Sequence, residues 1–383
     1  MRTRQVVLVG GGHAHIQVLE ALVAEPLADA RVTLVVDVPI AVYSGMVPGV
    51  VAGQYEATDV QLDPVALAHQ SGVGVTIGRV TGVDPEARTI TLVTGEVVSY
   101  DLASFDIGST VAGLDIPGVR EYALPTRPIG RFVDRFAAFL DAQRDRAAGT
   151  PLRVVVVGGG AGGVELAFTL DHRLKSDTAC DVSTVLVDGG PRILAGYADS
   201  LRRRVVRRAA QRRMTIRTGT RIRRVDQAAV EAVTGELIPY DVLVWVTGAV
   251  SQTLFKESRL PVDERGFVRV RSTLQFEQDD ALFGVGDCAT LIEYPRTPKA
   301  GVYAVRQGPV VTRNLRAALA GRPLERYRPQ TDFLTLLNLG GGVAVGAKWG
   351  VSFEGRWVMR LKDRIDRRFM RRFPRPRFPT ESL

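Results

Sequence analysis

The sequence has little cysteine and no long apolar run. Its two cysteines, Cys180 and Cys288, are too few for a disulfide framework, and they form no C-x-x-C pair. No apolar stretch approaches the roughly 18 residues of a membrane-spanning helix. The apolar run Val6–Val9 near the N-terminus is too short for the core of a signal peptide. These absences exclude a disulfide-stabilised secreted scaffold and predict a cytoplasmic protein.

Acidic and basic residues are nearly balanced over most of the chain. The formal net charge is +9, but residues 356–377 contain ten Arg or Lys and two Asp, which is a local charge of +8. All other residues together therefore carry about +1. The basic character belongs to the C-terminal tail, and the body gives no indication of a nucleic-acid partner.

Glycine, by contrast, recurs in a fixed pattern. The stretch Val154–Phe168 reads as an apolar strand, a turn with Gly158, Gly160 and Gly163 in the spacing G-x-G-x-x-G, and a helix. The first two glycines allow a tight turn and the close approach of a phosphate, and the third lets helix and strand pack closely. The amides at the helix N-terminus then face a pyrophosphate. The stretch is typical of a dinucleotide-binding unit.

The same unit occurs earlier, at Val6–Glu20. Gly10 and Gly12 match the first two glycines, but His15 occupies the position of the third, with His13 two residues before it. A side chain there must either move the helix away from the strand or point its ring toward the cofactor. Three roles stay open for the two histidines: local hydrogen bonding at the helix start, direct contact with the cofactor, and proton shuttling.

Each unit also has an acidic residue at the end of its second apolar run. This residue is Asp37 in the first unit and Asp188 in the second. A carboxylate at this position accepts hydrogen bonds from ribose hydroxyls and repels a 2′-phosphate. The pattern favours NADH over NADPH at the second site.

The two units share a further segment. Thr94–Ser109 parallels Thr234–Ala249, since each reads as a hairpin strand, a Tyr-Asp pair, an apolar strand and a small-residue turn. Ala281–Thr290 adds an apolar strand that ends in Gly286 and Asp287. These repeats predict an α/β protein with two Rossmann-like dinucleotide-binding domains and a small C-terminal region of β-strands and a helix.

With these motifs the chain resembles the FAD-dependent pyridine nucleotide-disulfide oxidoreductase superfamily. The resemblance implies FAD in a first domain of residues 1–115 and 250–325, and NAD(H) in a second domain of residues 116–249. Residues 326–383 would form the C-terminal region. The residues that we expect to bind the cofactors are Gly10, Gly11, Gly12, His13, Ala14, His15, Asp37, Val80, Gly108, Gly158, Gly160, Gly163, Asp188, Gly248, Gly286 and Asp287.

The redox cysteine pair of the disulfide reductases is missing, and a narrower resemblance is to the type II NADH dehydrogenases. Their A-x-x-x-Q-Q-G helix is similar to Lys299–Leu315, where Arg306 replaces the first glutamine and Gln307 and Gly308 follow. The stretches GGGHAH, YSGMVPG and KAGVYAVRQGP resemble a branch that is often fused to selenide, water dikinase.

This resemblance implies hydride transfer from NADH to FAD and electron transfer to a quinone, without proton pumping. Glu165 would lie near the nicotinamide, or act only as a favourable acid at a helix N-terminus. Lys299 would stabilise reduced flavin, or lie solvated in a loop. Arg306 and Gln307 would lie at the quinone side. No metal site is expected.

The tail segment Gly355–Phe373 predicts an amphipathic helix with arginines on one side. Its apolar arc consists of Trp357, Val358, Leu361, Ile365, Phe369 and Phe373. Aromatic residues opposite arginines are typical of a helix in a membrane surface. The alternatives are packing on the body or in a homodimer, and nucleic-acid binding, for which no accompanying fold is indicated. We expect a peripheral protein on the cytoplasmic face of a membrane.

Three other functions fit the same fold. A sulfide:quinone oxidoreductase needs cysteines beside the flavin, and Cys180 and Cys288 are poorly placed for this. A reductase of a protein acceptor could dock its partner on the basic tail. The third alternative is a flavoprotein that senses NADH without turnover and serves selenium metabolism.

Overall fold

The computed structural model describes residues 2–143 and 146–374. The helices of these residues are α1 (His13–Ala24), α2 (Val47–Val51), α3 (Pro64–Gln70), α4 (Val119–Tyr122), α5 (Ile129–Gln143), α6 (Ala161–Asp177), α7 (Asp199–Gln211), α8 (Leu254–Glu257), α9 (Gly301–Leu319) and α10 (Arg356–Met370). Short 3-10 turns occur at Ser44–Met46, Ala57–Val60 and Gly286–Cys288. Within the described residues, no helix combines the length and the apolar character needed to cross a membrane.

The larger sheet combines strands that are far apart in the sequence. Its central strand Arg4–Val9 pairs in parallel with Ala30–Val36 and Leu102–Phe105. Because parallel neighbours and helices cover such a strand on both faces, its Val-rich sequence is buried. The order of the eight strands in space is Ala289–Leu291, Val268–Val270, Gln275–Phe276, Asp279–Gly284, Leu102–Phe105, Arg4–Val9, Ala30–Val36 and Gly74–Ile77.

The second sheet is parallel throughout and repeats the plan of the first. Its strands, in spatial order, are Leu124–Pro125, Val242–Trp245, Pro151–Val157, Asp181–Val187 and Thr215–Arg217. A three-stranded antiparallel sheet accompanies each large sheet. These two small sheets are Val80–Asp84, Thr89–Leu92 and Val97–Ser99 in the first unit, and Ile222–Val225, Ala229–Ala232 and Leu237–Pro239 in the second.

Two short antiparallel pairs connect remote segments. Ala41–Val42 pairs with Gln61–Leu62, and Thr110–Val111 pairs with Ala249–Val250. The second pair joins the segments that follow the small-residue turns of the two repeats.

The C-terminal region is a three-stranded antiparallel sheet followed by α10. Its strands are Thr335–Asn338, Ala344–Lys348 and Val351–Gly355. The sheet lies between two helices, because Ala344 packs with Val358 of α10 whereas Val345 joins the core that includes α7. This layering holds α10 beside the two large units.

Candidate functional site

The first glycine turn requires glycine for reasons of space. Gly10 has a φ of +93°, and a Cβ atom there would lie 2.4 Å from the carbonyl oxygen of Asp106. Gly12 precedes α1, and the backbone amides of Ala14 and His15 in the first turn of this helix donate to Oδ2 of Asp106 at 2.7 and 3.1 Å. The turn therefore has the conformation that a dinucleotide-binding unit needs.

His15 lies in the core beneath this turn. Its Nδ1 is 2.7 Å from the carbonyl oxygen of Gly10 and its Nε2 is 2.8 Å from Oγ of Ser104. The carbonyl can only accept, so Nδ1 donates and Nε2 accepts. Burial lowers the pKa of His15 to about 4, which keeps the ring neutral. Both ring nitrogens of His15 are therefore hydrogen-bonded within the protein, which agrees with the first of the three open roles, local hydrogen bonding at the helix start. Direct contact of His15 with a cofactor stays a prediction.

His13 occupies a different environment, between aromatic side chains. Its ring centroid lies 5.3 Å from that of Tyr43 and 6.3 Å from that of Phe369 on α10. Its buried Nε2 has no hydrogen-bond partner among the described residues. Burial lowers the pKa of His13, against the opposing effect of Asp106. His13 therefore joins the first glycine turn to the C-terminal helix.

The second glycine turn follows the usual geometry. Gly158 has a φ of +123°, and a Cβ atom on Gly163 would lie only 1.6 Å from the carbonyl oxygen of Gly158. A Cβ atom on Gly160 would meet nothing within 4 Å, which leaves room for a pyrophosphate. Asp188 accepts hydrogen bonds from the backbone amides of Gly159 at 2.5 Å and Gly190 at 2.7 Å.

The remaining predicted contacts lie around the same edges of the two sheets. Asp37 directly follows the strand Ala30–Val36 and is exposed. Val80 begins the first strand of the small sheet beside the larger one. Cβ atoms on Gly108 and Gly248 would meet nothing within 4 Å, so the equivalent turns of both repeats border open space.

The turn at Gly286 is fixed by α9. The backbone amide of Gly286 donates to Oε1 of Gln307 at 2.6 Å, and Gln307 is buried. Asp287 forms a salt bridge of 3.0 Å with Arg127. Gln307 thus supports the turn that carries Asp287, whereas Arg306 beside it is exposed.

Lys299 is held against the protein and is only partly exposed. Its Nζ donates to the carbonyl oxygen of Ala289 and, at 3.0 Å, to Oγ1 of Thr290. It also lies 4.0 Å from the ring centroid of Phe267. Burial lowers the pKa of Lys299 to about 8. These contacts disfavour a freely solvated loop lysine, and the role of Lys299 beside reduced flavin stays a prediction.

A buried polar cluster joins α6 to the C-terminal region. The backbone amide of Asn338 donates to Oε1 of Glu165 at 2.8 Å. Lys362 on α10 donates to Oδ2 of Asp366 at 2.8 Å, and the hydroxyl of Tyr43 donates to Oδ1 of Asp366 at 3.2 Å. We call Tyr43, Glu165, Asn338, Lys362 and Asp366 the Glu165 cluster. It brings together four chain segments that are far apart in sequence.

The Glu165 cluster can hold and release a proton. Burial raises the pKa of Glu165 to about 7, against the opposing effect of Lys362. Burial also lowers the pKa of Lys362, but the carboxylates of Glu165 and Asp366 outweigh it and the net shift is upward. Glu165 thus titrates near neutral pH beside a fixed ammonium group.

The tail forms the predicted helix, but its faces differ from the predicted ones. Val358 and Phe373, which the periodicity placed on the apolar arc, are buried in the body. Lys362 and Asp366 are buried as well, because they pair with each other and with the Tyr43 segment. α10 therefore packs on the body through a partly polar face.

A second, apolar face of α10 remains exposed. Trp357 is 54% and Ile365 43% exposed, and Leu361 and Phe369 are partly so. Trp357 stacks on Phe353 of the preceding strand at 5.2 Å. We call Phe353, Trp357, Leu361, Ile365 and Phe369 the apolar stripe. It ends at His13 and Tyr43, and exposed arginines flank it: Arg356, Arg360, Arg364, Arg368 and Arg371.

The two cysteines do not form a redox pair in the described structure. Cys288 is fully buried, and its Sγ donates to the carbonyl oxygen of Val285 at 3.1 Å. Burial raises the pKa of the Cys288 thiol to about 12, so no thiolate forms near neutral pH. Cys180 directly precedes the strand Asp181–Val187 in the second unit.

Several site residues were not found by sequence reasoning. Lys362 and Asp366 look like an ordinary surface pair four residues apart on a helix. Arg127 and Asn338 lie outside every motif. The sequence did contain a signal for Asp106. In the alignment of the two repeats, this acidic residue stands where the second repeat has the apolar Val246.

Comparison with known proteins gives the family context. The model of one family, described as pyridine nucleotide-disulphide oxidoreductase, matches residues 4–308. The chain is 24% identical over 328 residues to the NADH dehydrogenase-like protein YutJ of Bacillus subtilis, which covers 85% of this chain and 87% of that relative. It is 27% identical over 208 residues to the type II NADH:quinone oxidoreductase of Haemophilus influenzae. That alignment covers 51% of this chain but 46% of the relative, less than half of its length.

A solved structure confirms the predicted fold class. The sulfide:quinone oxidoreductase from the hyperthermophilic bacterium Aquifex aeolicus superimposes with a TM-score of 0.80. The superposition covers 98% of this chain and 93% of that one, at 17% identity. At this identity the likeness concerns the fold alone.

Proposed function

The chain belongs to the pyridine nucleotide-disulphide oxidoreductase family, and from this premise we propose that it oxidises NADH and passes the electrons through FAD to a quinone. Members of this family normally bind FAD and NAD(P)H. The observation that carries the proposal is the Glu165 cluster, in which Glu165 on the helix after the second glycine turn and Asp366, the partner of Tyr43, both lie close to the ammonium group of Lys362. Bound FAD supplies the redox chemistry, accepting a hydride and releasing electrons.

The two glycine turns have separate roles in this proposal. The backbone around Gly10, Gly11 and Gly12 binds the FAD pyrophosphate, Asp37 its ribose and Asp287 its ribityl chain. The fit is supported by the positive φ of Gly10 and by the open space at Gly108. In the second unit, NADH is bound around the glycine turn. The residues that bind it are Gly158, Gly160, Gly163, Asp188 and Gly248.

NADH is favoured over NADPH by the charge at the ribose position. Asp188 is fixed by two backbone amides at the end of its strand. A fixed carboxylate there accepts hydrogen bonds from ribose hydroxyls and repels a 2′-phosphate.

Glu165 positions the nicotinamide and holds a proton. It reaches the site from one helical turn inside α6, the helix that follows the second glycine turn. Lys362 keeps a positive charge beside it throughout the reaction, so that negative charge arising in the site is stabilised. Lys299 and the N-terminus of α9, which lie near the Gly286 turn and Gln307, also stabilise negative charge in the site.

The apolar stripe supports a lipid-dissolved acceptor. It runs along α10 to Tyr43 and His13, which border the first glycine turn. The arginines beside it are suited to anionic lipid headgroups. We therefore place the membrane contact on this face of Gly355–Phe373 and expect the quinone to enter along it.

The membrane contact is testable with lipid vesicles. Trp357→Ser combined with Ile365→Ser is expected to weaken binding to anionic vesicles at least tenfold, since each side chain contributes about 1.5–3 kcal/mol when fully buried. The measurement is co-flotation of the protein with vesicles. The control is Val97→Ser, because Val97 is equally exposed but lies on the small sheet of the first unit. Equal flotation of the double variant and the control would contradict a membrane role for the stripe.

The rival functions differ from the proposed one in the electron donor or in the electron acceptor. A sulfide:quinone enzyme is disfavoured by the buried, protonated Cys288 and the distant strand that follows Cys180. The exposed arginines of α10 also suit an acidic protein acceptor. The narrower resemblance to the branch often fused to selenide, water dikinase stays a prediction, since the relatives named above carry no such description.

Steady-state oxidation of NADH distinguishes these functions. We expect NADH consumption that requires a soluble quinone, with a kcat/KM for NADPH at least tenfold lower. Parallel assays replace the quinone with an acidic iron–sulfur protein, or NADH with sulfide. Turnover with the protein acceptor but not with quinone would establish the rival reductase, and the absence of turnover with every acceptor would favour the sensor.

A further inference from the structure

The internal repeat offers a comparison between the two glycine turns. In the second unit, a Cβ atom on Gly160 would meet nothing within 4 Å. In the first unit, a Cβ atom on the equivalent Gly12 would lie 2.3–2.5 Å from three carboxyl atoms of Asp106. The open space at the second glycine is where a pyrophosphate approaches. Asp106 therefore places a carboxylate where the other turn leaves room for an anion.

Asp106 also occupies amides that normally serve anions. Its Oδ2 accepts hydrogen bonds from the backbone amides of Ala14 at 2.7 Å and His15 at 3.1 Å, in the first turn of α1. The side chain is 4% exposed. Val246, its counterpart in the second unit, offers no charge to α6. A carboxylate bound to N-terminal amides stabilises a helix in the same way as a bound phosphate.

We propose that Asp106 is a built-in anion that caps α1 in the flavin-free protein and takes up a proton when FAD binds. The proposal rests on the FAD site of the proposed function. A pyrophosphate beside a buried carboxylate is repelled, because water does not screen the two charges. A proton on Asp106 removes this repulsion. Asp106 is thus a positioning residue that links cofactor binding to pH.

The groups around Asp106 leave it as the acceptor of this proton. His15 has both ring nitrogens hydrogen-bonded, and Asp287 is paired with Arg127. Cys288 is already protonated near neutral pH. His13 is the remaining neighbour, with its buried and unpartnered Nε2.

The direction of the pH effect follows from the state of the free carboxyl. Burial raises the pKa of Asp106 to about 6 in the flavin-free protein, against the opposing effect of the two amide hydrogen bonds and His13. Bound pyrophosphate raises this pKa further. Affinity for FAD is therefore highest below about pH 6 and falls as the pH rises above it. For one proton the loss reaches about tenfold per pH unit.

The test follows release of FAD from the full-length holoprotein. The protein is diluted in series between pH 6 and 8.5, and free FAD is measured by its fluorescence. The wild type is expected to lose affinity with a slope approaching tenfold per pH unit. Asp106→Asn and Asp106→Ala are expected to bind FAD with less than twofold change over this range, and more tightly than the wild type at pH 8.5. The control Asp134→Asn, on the exposed face of α5, is expected to keep the wild-type slope.

Three results would overturn the proposal. One is a wild-type affinity that does not change with pH, which needs no variant to fold. Another is a slope that persists in both Asp106 variants. The third is loss of the slope in His13→Gln with Asp106 intact, which would place the proton on the imidazole. A protein that binds no FAD at any pH would instead contradict the proposed function.

Discussion

Lys362→Met is expected to lower the free energy of unfolding by about 3–5 kcal/mol. Lys362 and Asp366 have side chains only 9% and 8% exposed, and they pair at 2.8 Å. Without the ammonium group, Asp366 keeps the Tyr43 hydroxyl but loses its buried counter-charge. An uncompensated charge in this position is among the costliest changes in a protein interior.

Urea unfolding measures this loss, with Lys256→Met as the matched control. Lys256 lies exposed on α8, so the same substitution there should change stability by less than about 0.5 kcal/mol. The double variant Lys362→Met with Asp366→Leu should recover most of the loss, because both charges are then absent. A single variant within about 1 kcal/mol of the wild type would show that the pair is not buried in solution.

Gly163→Ala is expected to slow reduction of the flavin by NADH about 100-fold while the flavin stays bound. A Cβ atom on Gly163 would lie 1.6 Å from the carbonyl oxygen of Gly158, so the helix start must move away from the turn. Overpacking of this kind costs about 1–3 kcal/mol or more, here at the turn that binds NADH. The measurement is the rate at which NADH bleaches the flavin.

Gly162→Ala is the matched control for this change. Its Cβ atom would lie 3.5 Å from a methyl group of Val246, an ordinary contact distance. We expect this variant to react within a few-fold of the wild type. Equal rates for the two variants would mean that NADH does not bind at this turn.

The first unit tolerates a side chain where the second does not. His15 occupies the third-glycine position, and its ring extends from α1 to the Gly10 carbonyl and Ser104. In the second unit, a Cβ atom at the third-glycine position would overlap the turn. Because His15 has a Cβ atom at this position, α1 must stand further from its strand than α6 does. Ser104 and Asp106 supply the polar partners that make this arrangement stable.

The sequence contained most of the information about the fold. Glycine spacing and apolar strands are local signals that predicted both units, and helical periodicity predicted the helix of the tail. The helix expected from the family resemblance at Gly301–Leu315 extends to Leu319 in the structure. The return of Asp279–Gly284 to the first sheet is a non-local pairing, and only the resemblance to a family implied it.

The chemistry of the site was less accessible to sequence reasoning. The helical periodicity of the tail predicted one apolar arc and could not show that α10 buries Lys362 and Asp366. That burial depends on a remote segment, in which the carbonyl oxygen of Gly45 accepts a hydrogen bond from Lys362 and the hydroxyl of Tyr43 donates one to Asp366. A buried ion pair and a solvated one have the same sequence pattern, so only tertiary structure separates them.

The most direct test of the central claim follows the visible absorbance of the bound flavin without oxygen. NADH is added first and a soluble quinone second. We expect NADH to bleach the flavin rapidly and the quinone to restore its absorbance completely. A flavin that NADH does not bleach, or that stays bleached after quinone is added, would contradict the proposed electron path.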